Sequence, residues 1–251
     1  MARDPLTVLD VGNTALKVVV FDPRGRVTDC LRWGFSGEPA AAPVGPALRR
    51  LRAPIVAVSV SAARLEAVRG ALRARLPVVG RDLPIPIDNR TERPRETGAD
   101  RLCAALAARR RARGPAVAIG LGTAVTADAV DAAGAFLGGA IAPGLRSAAA
   151  GLAAAAPRLP FADLDPGDAA FPGGTTGEAL RAGHLLGFAG LVDRLAEEAL
   201  RAAAGGRRRR APVFLHGGDA PAVAPFLRTR AEEAPHLVAE GARIAWLDAR
   251  G

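Results

Sequence analysis

The 251-residue chain has no tyrosine, one lysine (Lys17), two cysteines and three histidines, and only 4% of its residues are aromatic. Cys30 and Cys103 are too few for a disulfide framework or a cysteine-rich structural zinc site, and both are expected to be small buried or half-buried thiols. So few aromatics supply a base-stacking platform poorly. The formal net charge of +9 therefore does not by itself mark a nucleic-acid binder. The cations are mostly single arginines scattered through Ala-rich stretches, and the dense cluster at 207–210 reads as a solvated loop. No run of about eighteen apolar residues without charge occurs, so no transmembrane helix and no membrane partner is expected. The first strand begins almost at once, without an apolar leader, and a cytoplasmic protein is expected. With 49% hydrophobic and 24% charged residues, the composition is that of a globular chain of one large or two small domains.

What is present centres on residues 6–22, LTVLDVGNTALKVVVFD. Two β-prone apolar runs, each too short for a helix, flank a Gly12-Asn13-Thr14 turn, with Asp10 before it and Lys17 after it. The glycine lets the backbone turn tightly and approach a ligand. Free N–H groups in such a turn, with the Asn13 and Thr14 side chains, suit phosphate oxygens. A carboxylate leaving a buried strand suits Mg²⁺, directly or through water. Of the 34 Lys plus Arg, the one lysine follows this turn, where a compact ammonium is a good point charge for a phosphate. A plain β-hairpin with a polar turn accounts for the same residues.

The turn signal Asp22-Pro23-Arg24-Gly25 then leads to a third strand over 27–35, and a Pro/Ala/Gly linker over 38–46 to a short helix at 47–52. Residues 55–60 read as a buried parallel strand. Residues 62–76 have helical spacing, with Leu65, Val68, Leu72 and Leu76 on one face. Pro84 and Pro86 reduce 77–87 to a short edge strand at most. A polar loop over 88–97 delivers the chain to Gly98-Ala99-Asp100-Arg101, just before an Ala-rich helix over 102–113. A carboxylate is favoured at a helix N-terminus, where backbone N–H groups are also available. An ordinary Asp N-cap explains the same placement.

The pattern then restarts: a strand over 115–119, the turn Gly120-Leu121-Gly122-Thr123, a returning strand over 125–130, an Asp/Gly turn and a third strand over 135–141. Two Gly-Thr turns, one per half, are what a nucleotide clamped between duplicated domains requires. A helix over 145–156, a Pro/Asp-rich segment, two helical stretches within 176–203 and a short strand over 213–215 follow. That strand ends in His216-Gly217-Gly218-Asp219, whose glycines let backbone approach a ligand, here assigned to the adenosine side. A small helix closes the chain.

Together the blocks DVGNTALK (10–17), TGADR (97–101), GTAVTADAVDAAGAFLGGAIAPG (122–144), GGTTGEALRAG (173–183), GFAGLVDRL (187–195) and HGGDA (216–220) resemble the type III pantothenate kinase family, on the acetate/sugar kinase, heat-shock protein 70 and actin fold. The resemblance covers nearly the whole chain. It implies an α/β fold of two duplicated ribonuclease-H-like (actin-like ATPase) domains, each a mixed five-stranded sheet with flanking helices, placed here at 1–114 and 115–251. It implies a homodimer that phosphorylates the 4′-hydroxyl of pantothenate with ATP, the first step of coenzyme A synthesis, using Mg²⁺ and a monovalent cation, K⁺ or NH₄⁺. The phosphate loop would be Asp10, Val11, Gly12, Asn13, Thr14, Ala15, Leu16 and Lys17, with Asp10 near Mg²⁺ and Thr123 also contacting ATP. Gly98, Ala99, Asp100, Arg101 and Thr176 would bind pantothenate, with Asp100 accepting the proton of the attacking hydroxyl. The apolar helices after Thr176 are the expected dimer face, although a core helix shows the same stripe.

The chain departs from the family pattern at four places. Gly120 stands where the family has the Asp that binds the monovalent cation, so that site is lost or built from backbone carbonyls. A pantothenate-contacting Tyr is replaced near Thr91. His216 replaces a Thr before Gly217-Gly218, and is expected to be packed or solvated rather than catalytic. Thr175 replaces an Asn before Thr176. The alternative to an active kinase is a degenerate paralogue that keeps the fold and serves as a regulatory or interaction protein.

Overall fold

A computed structural model describes residues 4–35, 45–48, 54–72, 75–162, 164, 169–205 and 211–250. Strands β1 (Leu6–Val11) and β2 (Ala15–Phe21) form the expected hairpin, and β3 (Val27–Gly34) adds antiparallel to β2. Strand β4 (Ile55–Ser59) lies parallel to β1, giving the order β3-β2-β1-β4. A one-turn helix α1 (Gly45–Leu48) and helix α2 (Ala62–Leu72) accompany this sheet. The predicted spacing in α2 holds: Leu65, Val68 and Leu72 are buried against Leu9, Val11, Leu16, Val18 and Ala57. Each fully buried Leu or Val of this kind stabilises by about 1.5–3 kcal/mol. The rest of the helix expected at 47–52 lies outside the described residues, as do the arginines at 207–210.

Among the described residues this sheet has four strands, not the five expected. Val78 makes only an isolated parallel bridge to Ala57, and Val79 bridges straight back to Leu83. The chain has thus turned away before Pro84 and Pro86, which have no N–H to extend the ladder.

Helix α3 (Ala99–Ala112) follows a single 3₁₀ turn at Pro94–Glu96. The second sheet contains β5 (Ala116–Leu121), β6 (Ala124–Val130), β7 (Phe136–Pro143), β8 (Val213–His216) and β9 (Glu232–Glu233), in the order β7-β6-β5-β8-β9. Among the described residues it has the expected five strands; β9, a two-residue acidic edge, carries no apolar pattern in the sequence. The remaining helices are α4 (Leu145–Ala155), α5 (Thr176–Ala203), the short α6 (Ala220–Val223) and α7 (Leu237–Asp248).

Residues 176–203 form one 28-residue helix rather than two stretches. A capping box starts it: Thr175 accepts from the Glu178 N–H at 3.2 Å, and Glu178 Oε2 accepts from the N–H groups of Thr175 and Gly174. A buried stripe of Ala182, Leu185, Phe188, Ala189, Val192, Ala196, Ala199 and Ala203 then runs its whole length, so its glycines do not interrupt it. That stripe packs in its own unit's core with Val117, Ile119 and Leu215. Much of the apolar side of this helix is therefore used internally, while Leu186 on it is exposed.

The compact units are Met1–Ile87 with Arg93–Ala107 and His236–Gly251, and Asp88–Glu92 with Ala108–Pro235. They differ from the expected 1–114 and 115–251 at both ends for local reasons. Helix α7 packs on β1 and β4, with Gly241 directly against the Cys103 carbonyl. Residues 88–92 join the second unit because Asn89 bridges to Phe136 and Arg90 pairs with Asp131 at 3.2 Å. No helix among the described residues is long and apolar enough to cross a membrane.

Candidate active site

In the first unit, the β1–β2 register sets Asp10 directly opposite Lys17, and Lys17 Nζ lies 3.5 Å from Asp10 Oδ2. The intervening turn closes through the Gly12 N–H, which donates to the Ala15 carbonyl at 3.0 Å. That N–H is thus not one of the donors offered to a phosphate. Asn13 and Thr14 are exposed at the tip. Val11, Ala15 and Leu16, also assigned to the phosphate loop, are buried in the core, which leaves their backbone as the part able to meet a ligand.

Helix α3 brings the second carboxylate. The helix starts three residues earlier than the sequence suggests, so Asp100 lies inside its first turn and is not the N-cap. Its Oδ1 accepts from the Arg101 N–H at 2.8 Å. A Cβ at position 98 would come within 2.6 Å of the same oxygen, so only glycine allows the carboxylate to lie against the chain there. Ala99 and Arg101 are half-buried beside it.

Burial pushes both carboxyls above their ordinary range. For Asp10 desolvation dominates, Lys17 opposes it, and the charge of Asp100 adds to the rise. For Asp100 desolvation again leads, opposed by the Arg101 N–H and guanidinium and by Lys17. Residues 90 positions apart in sequence are therefore electrostatic neighbours, with one ammonium facing both. Cys103, buried one helical turn beyond Asp100, has its thiol pushed well up by burial and by the same two carboxylates, which makes it unreactive.

In the second unit, Thr123 is exposed in the β5–β6 turn, and its carbonyl accepts from Ser147 Oγ at 2.7 Å and the Gly144 N–H at 3.0 Å. Asp219 follows the Gly-Gly turn after β8; its N–H donates to the Leu121 carbonyl, and its carboxylate lies 3.4 Å from Arg146 Nε. Thr176 is exposed at the first position of α5. Thr91, where the family has Tyr, turns on Asn89, donating to Asn89 Oδ1 through N–H and hydroxyl at 3.2 and 2.9 Å.

A model of the family described as type III pantothenate kinase matches residues 6–198. The chain belongs to this family. The type III pantothenate kinase of Desulfovibrio desulfuricans is 34% identical to it, over 98% of this chain and 97% of that protein. The one from Frankia alni is also 34% identical, over 96% and 98%. Among solved structures, the activator of the 2-hydroxyisocaproyl-CoA dehydratase from Clostridium difficile, with bound ADPNP, covers 98% of this chain and 96% of its own with a TM-score of 0.53. At 16% identity that likeness is one of fold, the two-unit ribonuclease-H-like architecture.

For a member of the type III pantothenate kinase family, two details of the site escape a residue-by-residue carry-over. One is the capping box at Thr175, which the sequence signals as Thr-x-x-Glu. The other is the dependence of Asp100 on Gly98, which no local pattern signals. Nothing in these comparisons favours the degenerate paralogue.

Proposed function

We propose that the chain transfers the γ-phosphoryl group of ATP to the 4′-hydroxyl of pantothenate, opening coenzyme A synthesis. The observation that carries this reading is the convergence of Asp10, Lys17 and Asp100 within the first unit, two carboxyls of raised basicity facing one ammonium. Phosphoryl transfer passes through a loose transition state, so catalysis is positioning, charge neutralisation and removal of one alcohol proton. Asp100 is the base: burial keeps its proton affinity above that of a solvated carboxylate, and Arg101 and Lys17 keep it ionisable. Lys17 and the Asn13-Thr14 tip meet the phosphates. Arg101 pairs with the carboxylate of pantothenate, Thr176 contacts the same substrate, and Thr123 contacts ATP.

Asp10 would hold Mg²⁺, directly or through water. Among the described residues no group of three or more His, Cys, Asp or Glu forms a protein-only metal cage. One carboxylate completed by substrate phosphates and water is the usual way this ion is held. When bound, Mg²⁺ neutralises charge on the phosphates. The reading includes a cytoplasmic homodimer, as the family resemblance implies.

The test is ADP release by purified protein with ATP, Mg²⁺ and pantothenate, with and without the acceptor. Release that requires pantothenate and disappears in Asp100→Asn is expected. A protein that binds ATP but shows no pantothenate-dependent release would overturn the reading in favour of the degenerate paralogue.

A further inference from the structure

The sheet registers place Gly120 at the counterpart of Asp10. In the first unit one row across β2, β1 and β4 reads Lys17, Asp10, Val58; in the second, the row across β6, β5 and β8 reads Thr126, Gly120, His216. The missing side chain at 120 does not leave open space. A Cβ there would lie 2.8 Å from Thr126 Oγ1, 2.9 Å from His216 Cε1 and 3.1 Å from His216 Nε2. Those separations are shorter than non-bonded carbon contacts tolerate. A side chain at 120 would therefore have to displace Thr126 Oγ1 and the His216 ring, which stand against that position.

This bears on the monovalent cation that the resemblance implies. K⁺ is a hard ion that takes oxygen donors; carboxylate, carbonyl and water suit such ions, whereas imidazole suits transition metals. The side chains of the row offer one hydroxyl oxygen and a ring nitrogen where the carboxylate would be, so those side chains do not fit the ion. We infer that the His216 ring stands in the cation's place, and that this protein binds nucleotide, and turns over its substrates, without K⁺ or NH₄⁺. Gly120 and His216 then form one coupled pair, each permitted by the other. The turnover half of this inference rests on the kinase reading; the binding half does not.

The experiment measures the affinity of Mg·AMPPNP by calorimetry, and pantothenate-dependent ADP release, in potassium chloride and in choline chloride at equal ionic strength. The wild type is expected to give the same affinity and rate in both salts within twofold. Gly120→Asp alone should lower the melting temperature, since the new side chain meets the His216 ring. Gly120→Asp with His216→Thr should regain that stability and acquire at least tenfold tighter nucleotide binding in potassium. Wild-type affinity that falls tenfold in choline would overturn the inference. So would a folded double variant indifferent to potassium. Nucleotide binding equal in both salts with no turnover in either would sustain the binding half of the inference while overturning its turnover half together with the kinase reading.

Discussion

The two central hairpins share a plan, strand, Gly-Thr turn, strand, yet treat the same row in opposite ways. Around Asp10 the row is charged and reactive: ammonium against carboxylate, with a second carboxylate brought up by α3. Around Gly120 it holds no formal side-chain charge on the central strand and is filled by a neighbour's ring. A duplicated scaffold thus fixes where a side chain can project and leaves the chemistry to whichever residue occupies the position. The charged half has a stability cost, since both carboxyls resist ionising in the fold.

The comparison can be broken or sharpened by substitution, and the largest effect is expected at Asp100, the proposed base. Asp100→Asn should lower pantothenate-dependent turnover about 10³-fold, within the usual range for a positioned general base, while calorimetry shows nucleotide affinity little changed. A variant with near-normal turnover would move the proton acceptor elsewhere. Lys17→Met comes next, with a loss of about 10²-fold in turnover, the scale for removing one electrostatic stabiliser. Because Lys17 opposes the rise of both carboxyls, that variant should also shift the acid limb of the rate–pH profile upward. An unmoved limb would mean that Lys17 does not face them.

Smaller effects separate scaffold from site. Thr175→Ala removes the capping box of α5 at a cost of about 1 kcal/mol. In a chain of this size that corresponds to a melting temperature lower by about 2–4 °C. The smallest effect is pH-dependent. A carboxyl whose proton affinity is higher folded than unfolded leaves the folded state with more bound protons once the pH passes the unfolded value. Stability then falls as pH rises through the folded value. Asp100→Asn should therefore raise the melting temperature of ligand-free protein at pH 8 and leave it unchanged near pH 4. A variant less stable than wild type at pH 8 would show that Asp100 contributes more as a helix-terminus anion than burial costs it.

Legibility in the sequence followed the range of the interactions involved. Both hairpins were readable because their turns and alternating strands are local, and the buried face of α2 because its period is. The fate of 77–87 was half readable: the prolines announce that pairing stops, not that Val78 still makes one bridge. The continuity of α5 rests on an unbroken buried stripe along all of 176–203, where two helical stretches are expected from the sequence. Strand β9 was invisible, two exposed glutamates with no pattern. Asp10 and Asp100 could each be suspected from their immediate neighbours, but their proximity depends on how α3 packs. Only the family resemblance anticipated that they work together.

The return of α7 to the sheet made by the first strands has a bearing on synthesis. During translation the segments of the second unit are complete and free to fold while β1 and β4 still lack their last covering helix. The half that leaves the ribosome first is thus the half finished last, so its apolar sheet face spends the longest time exposed to chaperones and proteases. A premature stop just before residue 236 would leave the second unit whole and the first, which carries Asp10 and Asp100, without its last helix.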